Sequence, residues 1–255
     1  MKKGAGIAVS ALVVGVIALL TFGVIFLINQ NAANEIKSAS ERSKIEFWVN
    51  SKADIKTSSF TSDYPETDTL YREPIKITKE SQFKVDSKTG VSPASELIVN
   101  AMYDCWSAFG SGKIDFLKYS KLGAKPFCFS CAQIVFSDEF KNATKPYVIQ
   151  DYGYYLTYGH PATSSKSFIE LIYNLKDNQL EKQELIIKED LRIIFIATTS
   201  TSGKTATQFL ENIDSLSYAK YMIGGIPALI IKTAAANQYT IQLLSEKEMR
   251  IICTG

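Results

Sequence analysis

From Ile7 to Ile28 the chain runs for 22 residues without a charged side chain, and no other stretch constrains it as much. As a helix rising ~1.5 Å per residue it is about 33 Å long, enough for a hydrocarbon core of roughly 30 Å. Lys2, Lys3 and the amino terminus supply positive charge on one flank, whereas residues 29–35 hold none. Positive charge collects on the cytoplasmic side of membrane spans. The pattern therefore predicts a single-pass protein of the cell membrane: a cytoplasmic tail at 1–6, a transmembrane helix at 7–28 in contact with the lipid bilayer, and an extracytoplasmic remainder. The competing reading is a cleaved secretory signal, whose apolar core is normally about 7–15 residues with an Ala-x-Ala-like site behind it. Here the run is longer, and Asn31-Ala32-Ala33 is a poor match.

The remainder is long enough for one ordinary core or two small ones. The chain has 28 basic and 26 acidic side chains, and two of the basic ones, Lys2 and Lys3, precede the apolar run. The chain beyond the run is thus neutral. A neutral domain without a Lys/Arg stripe lacks the electrostatic footprint of nucleic-acid binding. Four cysteines, Cys105, Cys128, Cys131 and Cys253, are an even number in a compartment that permits oxidation, and two disulfides are expected. Asn142-Ala143-Thr144 is the one Asn-x-Ser/Thr sequon, which predicts glycosylation at Asn142 if that face lies outside the membrane.

Residues 29–69 read as a helical stalk and linker: apolar Ile36, Ile45, Trp48 and Val49 recur among helix formers, and the stretch from Lys56 to Thr69 is rich in Ser, Thr and Asp. The extracytoplasmic domain is placed at 70–255. It opens with β alternation at Ile75-x-Ile77 and Phe83-x-Val85 and a turn at Lys88-Thr89-Gly90. Ser92-Pro93 then starts a helix, with serine as cap and proline in the first turn. Leu97, Ala101, Met102, Cys105 and Phe109 follow at helical spacing, which places Cys105 on the buried stripe. Phe127 to Phe136 reads as a buried strand. Residues three apart on a strand face opposite sides, so Cys128 and Cys131 point to different layers. Further expectations are a helix over Phe168–Leu175, strands over Leu185–Ile187 and Leu191–Ala197, a helix over Thr205–Ile213, and last strands at Ala228–Lys232 and Met249–Cys253. The fold class is α+β.

Asp151 to Gly159 holds four tyrosines and precedes His160-Pro161. Exposed tyrosines in a loop bind sugars or peptides; tyrosines on a helix ended by Gly-His-Pro fill a core edge, and this second reading is preferred. His160 is the only histidine, which excludes a multi-histidine metal centre, and no nucleophile elbow accompanies it. Thr198 to Thr205 ends in Gly-Lys-Thr but has Thr198 where a phosphate-binding loop has its first glycine. A polar helix cap explains it, and no nucleotide or other cofactor is expected. Four thiolates can hold zinc, but one Cys-x-x-Cys with two distant partners is an unusual spacing for it, and no metal is expected.

Three pairings of the cysteines are open. With Cys128 and Cys131 on opposite strand faces, one can bridge to the helix at Cys105 and the other to the end of the chain at Cys253. The alternative uses Cys128-Phe129-Ser130-Cys131 as a redox pair. Lys220 to Ile231, with Gly224-Gly225-Ile226-Pro227, resembles the cis-proline segment of thioredoxin-fold proteins. That resemblance implies a membrane-tethered thiol-disulfide oxidoreductase with Cys128 and Cys131 catalytic and Pro227 as the cis residue. In that family the pair opens a helix whose dipole stabilises the thiolate, whereas here Ala132 to Phe136 continues as strand. Lys3-Gly4-Ala5 is similar to the clipping site of archaeal pilin-type leaders, without the glutamine or glutamate they carry near the start of the helix. Ala101 to Lys113 together with Phe127 to Ile134 resembles uncharacterised archaeal proteins that have one amino-terminal membrane helix, a Cys-Trp helix, a Cys-x-x-Cys strand and a late cysteine. That resemblance implies anchoring and topology. The function expected is binding or structural support outside the membrane, with an envelope protein as partner and no catalytic residue.

Overall fold

The computed structural model describes residues 42–50, 73–112, 127–175, 181–197 and 239–254. The chain divides into two units at Glu41/Arg42, and all of these belong to the second. The apolar run at 7–28, the Gly-Lys-Thr turn at 203–205, Pro227, and the helix and strand expected at 205–213 and 228–232 lie outside the described residues. Among the described residues no helix is long and apolar enough to cross a membrane.

Helix α1 spans 42–50. Of the segment read as stalk and linker only this part is described, and it places Ile45 and Val49 in the domain's main core. Strand β1 (Ile75–Ile77) follows, then a 3-10 turn (Glu80–Phe83) and the long helix α2 (Pro93–Ala108). A second 3-10 turn (Gly110–Gly112) ends α2, and β2 spans Phe127–Phe136. Two short helices, α3 (Asp138–Lys141) and α4 (Tyr152–Tyr158), flank β3 (Tyr147–Ile149). Then come α5 (Phe168–Tyr173), β4 (Leu185–Ile187), β5 (Leu191–Ala197), β6 (Tyr239–Ser245) and α6 (Glu246–Thr254).

The main sheet has the order β1-β2-β5-β6, and β3 pairs with β4 in a second, two-stranded sheet. Among the described residues only β1 and β2 run parallel. A parallel pair needs a long crossover, usually helical, and α2 lies in the chain between them. α2 forms where the sequence predicts it: the Ser92 hydroxyl accepts from the Ser95 amide, Pro93 takes the first turn, and Ala101, Met102 and Cys105 of the expected stripe are buried, but Leu97 is exposed and Ile98, Val99 and Trp106 fill the buried face with them.

Both faces of the sheet are covered. Phe127, Phe129, Ile134 and Phe136 of β2, Ile193 and Phe195 of β5 and Ile241 of β6 join α2 in the main core. On the other face Ile194, Ile196 and Leu244 meet Ile252 of α6 in a smaller cluster with Met249, Cys128 and Cys253 at its edge. This two-sided burial is why β2 reads in the sequence as an apolar run and not as an alternation.

Two expectations are corrected. Phe83-x-Val85 is not a strand: Glu80–Phe83 makes a 3-10 turn. The Gln82 side chain folds back to accept from the Thr78 and Lys79 amides and donate to the Lys76 carbonyl, which uses backbone groups that a longer strand would pair. Met249–Cys253 lies in helix α6 and not in a strand. Its start is fixed by a reciprocal cap, the Ser245 amide donating to Glu248 Oε2 and the Glu248 amide to Ser245 Oγ, and Arg250 pairs with Glu246 one turn back.

Candidate functional site

The four cysteines form two disulfides, Cys105–Cys131 and Cys128–Cys253, each with Cα atoms 5.8 Å apart, and no thiol is free. Their arrangement follows from β2. Cys128 sits opposite Ile196, and Ser130 opposite Ile194, on the face that α6 covers. Between Ser130 and Ala132 the register with β5 shifts, so that Ser130 faces Ile194 and Ala132 faces Ile193. Cys131 is the extra residue of this bulge. It and Ala132 are both fully buried in the main core, and Cys131 meets Cys105 on the inner stripe of α2.

The two cysteines of the Cys-x-x-Cys stretch are therefore staples of opposite layers. One ties α2 to the sheet across the core; the other ties α6 to the sheet from the second face. Cys128 and Cys131 are not bonded to each other, and they lie within a strand, not at a helix amino terminus. Their burial differs too. Cys105 and Cys131 are each 0% exposed, whereas Cys128 and Cys253 are partly exposed.

The tyrosines of 151–159 lie on helix α4, as the preferred reading has it. Tyr152 and Leu156 point into the core, while Tyr154 and Tyr158 are exposed with ring centroids 5.1 Å apart. The Tyr158 hydroxyl donates to Glu181 Oε2 at 3.0 Å, which raises its pKa above the ordinary value. Tyr155 packs on Phe168. Its ring and carbonyl also lie against Gly159, where an added Cβ would come within 2.5 Å of the Tyr155 carbonyl oxygen, so the helix can end here only on glycine. His160 is exposed.

A polar cluster that sequence reasoning missed lies at the start of α2. The Asp151 carboxylate is buried and accepts from the Ser92 amide, from Ser92 Oγ at 2.7 Å and from Ser95 Oγ at 2.9 Å. The serines were legible as a helix cap; their partner, 56 residues or more away in sequence, was not. The carboxylate meets the positive end of the α2 dipole, and three donors offset the cost of burying it. Among the described residues no base or nucleophile beyond these serines joins the hydrogen-bond set, so its chemistry is that of a clamp between the starts of α2 and α4. Among the described residues no group of three His, Cys, Asp or Glu side chains is placed to hold a metal ion.

No family model, curated protein or solved structure matches the chain.

Asn142 follows α3, and both it and Thr144 are exposed. Next to it Lys141 pairs with Asp138 at 3.0 Å and Asp190 at 3.2 Å. Hydrogen bonds to Asp138 and Asp190 raise the lysine's pKa, and Asp190 in turn accepts from the Phe136 amide at 3.0 Å. The sequon thus stands on a turn that is pinned to the end of β2.

Proposed function

We propose that this protein is a membrane-anchored, extracytoplasmic binding or structural protein. Residues 7–28 hold it in the bilayer with its amino terminus in the cytoplasm, and the disulfide-stapled domain acts at the cell surface as a subunit of an envelope assembly. The observation that carries this reading is the complete use of the cysteines. Both bridges tie a helix to the central sheet, one on each face, and leave no thiol over. Such cross-links form and persist in oxidising compartments outside the cytoplasm, and the uncharged run supplies a means of retention there. The turn at Asn142 is on this reading accessible to oligosaccharide transfer.

The test is topology in intact cells that express the full chain with a carboxy-terminal epitope. Added protease is expected to remove the epitope from intact cells and to leave a small membrane-bound fragment containing 7–28, resistant to alkaline extraction. An epitope protected until the membrane is permeabilised, or a domain released into the medium without its anchor, would overturn the proposal.

A further inference from the structure

The two disulfides differ in what surrounds them, and the difference is organised by layer. Cys105–Cys131 is sealed in the main core with both residues 0% exposed. Cys128–Cys253 lies at the edge of the smaller cluster, both residues partly exposed. Thiol-disulfide exchange needs a thiolate to reach a sulfur, so access governs which bridge opens first.

What the second bridge holds is a cover. α6 seats Ile252, with Met249 beside it, on Ile194, Ile196 and Leu244. Apart from the bridge, α6 is held at its start by the cap to Ser245 and the Arg192–Glu246 ion pair at 2.6 Å. Arg192 and Glu246 are 23% and 44% exposed, and an ion pair so open to water contributes little. The sheet face beneath is also unlike a permanent core. In register with Ile194 stand Ser130 and Gln242, and in register with Ile196 stands Thr240. These three side chains are 3%, 4% and 1% exposed. Gln242 donates to Thr240, and among the described residues the Ser130 hydroxyl has no hydrogen-bond partner. The large majority of buried side-chain polar groups are paired; the Ser130 hydroxyl is one of several exceptions among the described residues, and it is the row of Ser130, Thr240 and Gln242 together that suits a face meeting water in a second state.

We propose that Cys128–Cys253 is a releasable clasp and that α6 is a cover over the second sheet face, opened by a thiol or dithiol reductant while Cys105–Cys131 keeps the main core closed. A reductant thiolate attacks one sulfur of the clasp, forming a mixed disulfide and expelling the other cysteine as thiolate. A second reductant thiolate then attacks the reductant's sulfur in that mixed disulfide and expels the remaining cysteine as thiolate, leaving the reductant as a disulfide. In balance, one protein disulfide becomes two cysteine thiols, and two reductant thiols become one disulfide, with two electrons and two protons transferred. The device does not depend on where the chain resides.

The experiment uses the purified full chain in detergent, treated with a dithiothreitol series, alkylated, and mapped by peptide mass spectrometry with hydrogen exchange in parallel. Cys128 and Cys253 are expected to label at reductant concentrations about tenfold or more below those needed for Cys105 and Cys131, since exchange follows access. In the species with two alkylated cysteines, amides of 246–254 are expected to lose protection while those of 93–108 keep it. If all four cysteines label together, or if 246–254 stays protected once the clasp is open, the proposal fails. The wild-type chain suffices, so a variant that does not fold cannot obscure the result.

Discussion

Tyr152 and Tyr173 are the largest fully buried side chains among the described residues, and burial raises both phenol pKa values above the ordinary tyrosine value of 10.0, Tyr173 with a further push from Tyr152. The unfolded chain releases these protons near pH 10 and the folded chain only above it. Below pH 10 both states keep their protons and the phenols add no pH dependence. Above it the unfolded state ionises first, and stability falls by about 1.4 kcal/mol per pH unit for each phenol until its folded pKa is passed. Tyr173 also donates to the Ile241 carbonyl at 2.9 Å, whereas the Tyr152 hydroxyl meets the Met102 sulfur, a weak acceptor, at 3.5 Å. Tyr152→Phe should therefore leave neutral-pH stability within about 1 kcal/mol of wild type and remove one phenol's share of the alkaline slope. Urea unfolding at pH 9, 10 and 11 reads both quantities; an unchanged slope would show that Tyr152 ionises as it does in the unfolded chain. This was half legible. The sequence shows four tyrosines in nine residues, but which one turns inward depends on the phase of α4 and on what α2 and α5 present to it. Asp151 is the same case: an acidic residue before a helix reads as a local cap, yet its hydrogen bonds go to serines on another element.

At the scale of elements, legibility follows how local the cause is. α2 could be read because its cap, its proline and its stripe are contiguous. β2 could be read because an apolar run of 10 residues has few other homes. β6 went unread although Tyr239, Ile241 and Leu243 alternate with Thr240 and Gln242, the pattern of a half-exposed strand; its full burial comes from the second layer. α6 was misread because Met249, Ile251, Ile252 and Cys253 suit a strand by composition. The better signals were Ser245 with Glu248 and the Glu246–Arg250 pair. The bulge at Cys131 could not be foreseen, since it arises in pairing with β5. The bridges' contributions belong here as well. For loops of 26 and 125 residues, chain entropy gives about 3.5 and about 5 kcal/mol. Replacing Cys105 and Cys131 together by alanine should lower the free energy of urea unfolding by about 3.5 kcal/mol or more. A loss below about 1 kcal/mol would mean that the core of α2 and β2 is complete without its staple.

For the molecule as a whole, sheet order was the least legible property: β1 beside β2, and β6 beside β5, are pairings across long stretches of chain that no local pattern dictates. The α+β class and the two-disulfide framework were legible, the first from the alternation of segments and the second from cysteine parity. The opposite facing of Cys128 and Cys131, read from strand geometry, fits the observed pairing, in which each takes its partner from a different layer. That pairing is the centre of the account. It makes the Cys-x-x-Cys stretch a double staple, and it supports the extracytoplasmic reading. The measurement that tests it most directly is peptide mapping, without reduction, of the full chain extracted from membranes under thiol-blocking conditions. The account predicts cross-linked peptides joining Cys105 to Cys131 and Cys128 to Cys253, with no blocked thiol. A peptide closed on itself between Cys128 and Cys131, or blocked thiols on Cys105 or Cys131, would contradict it.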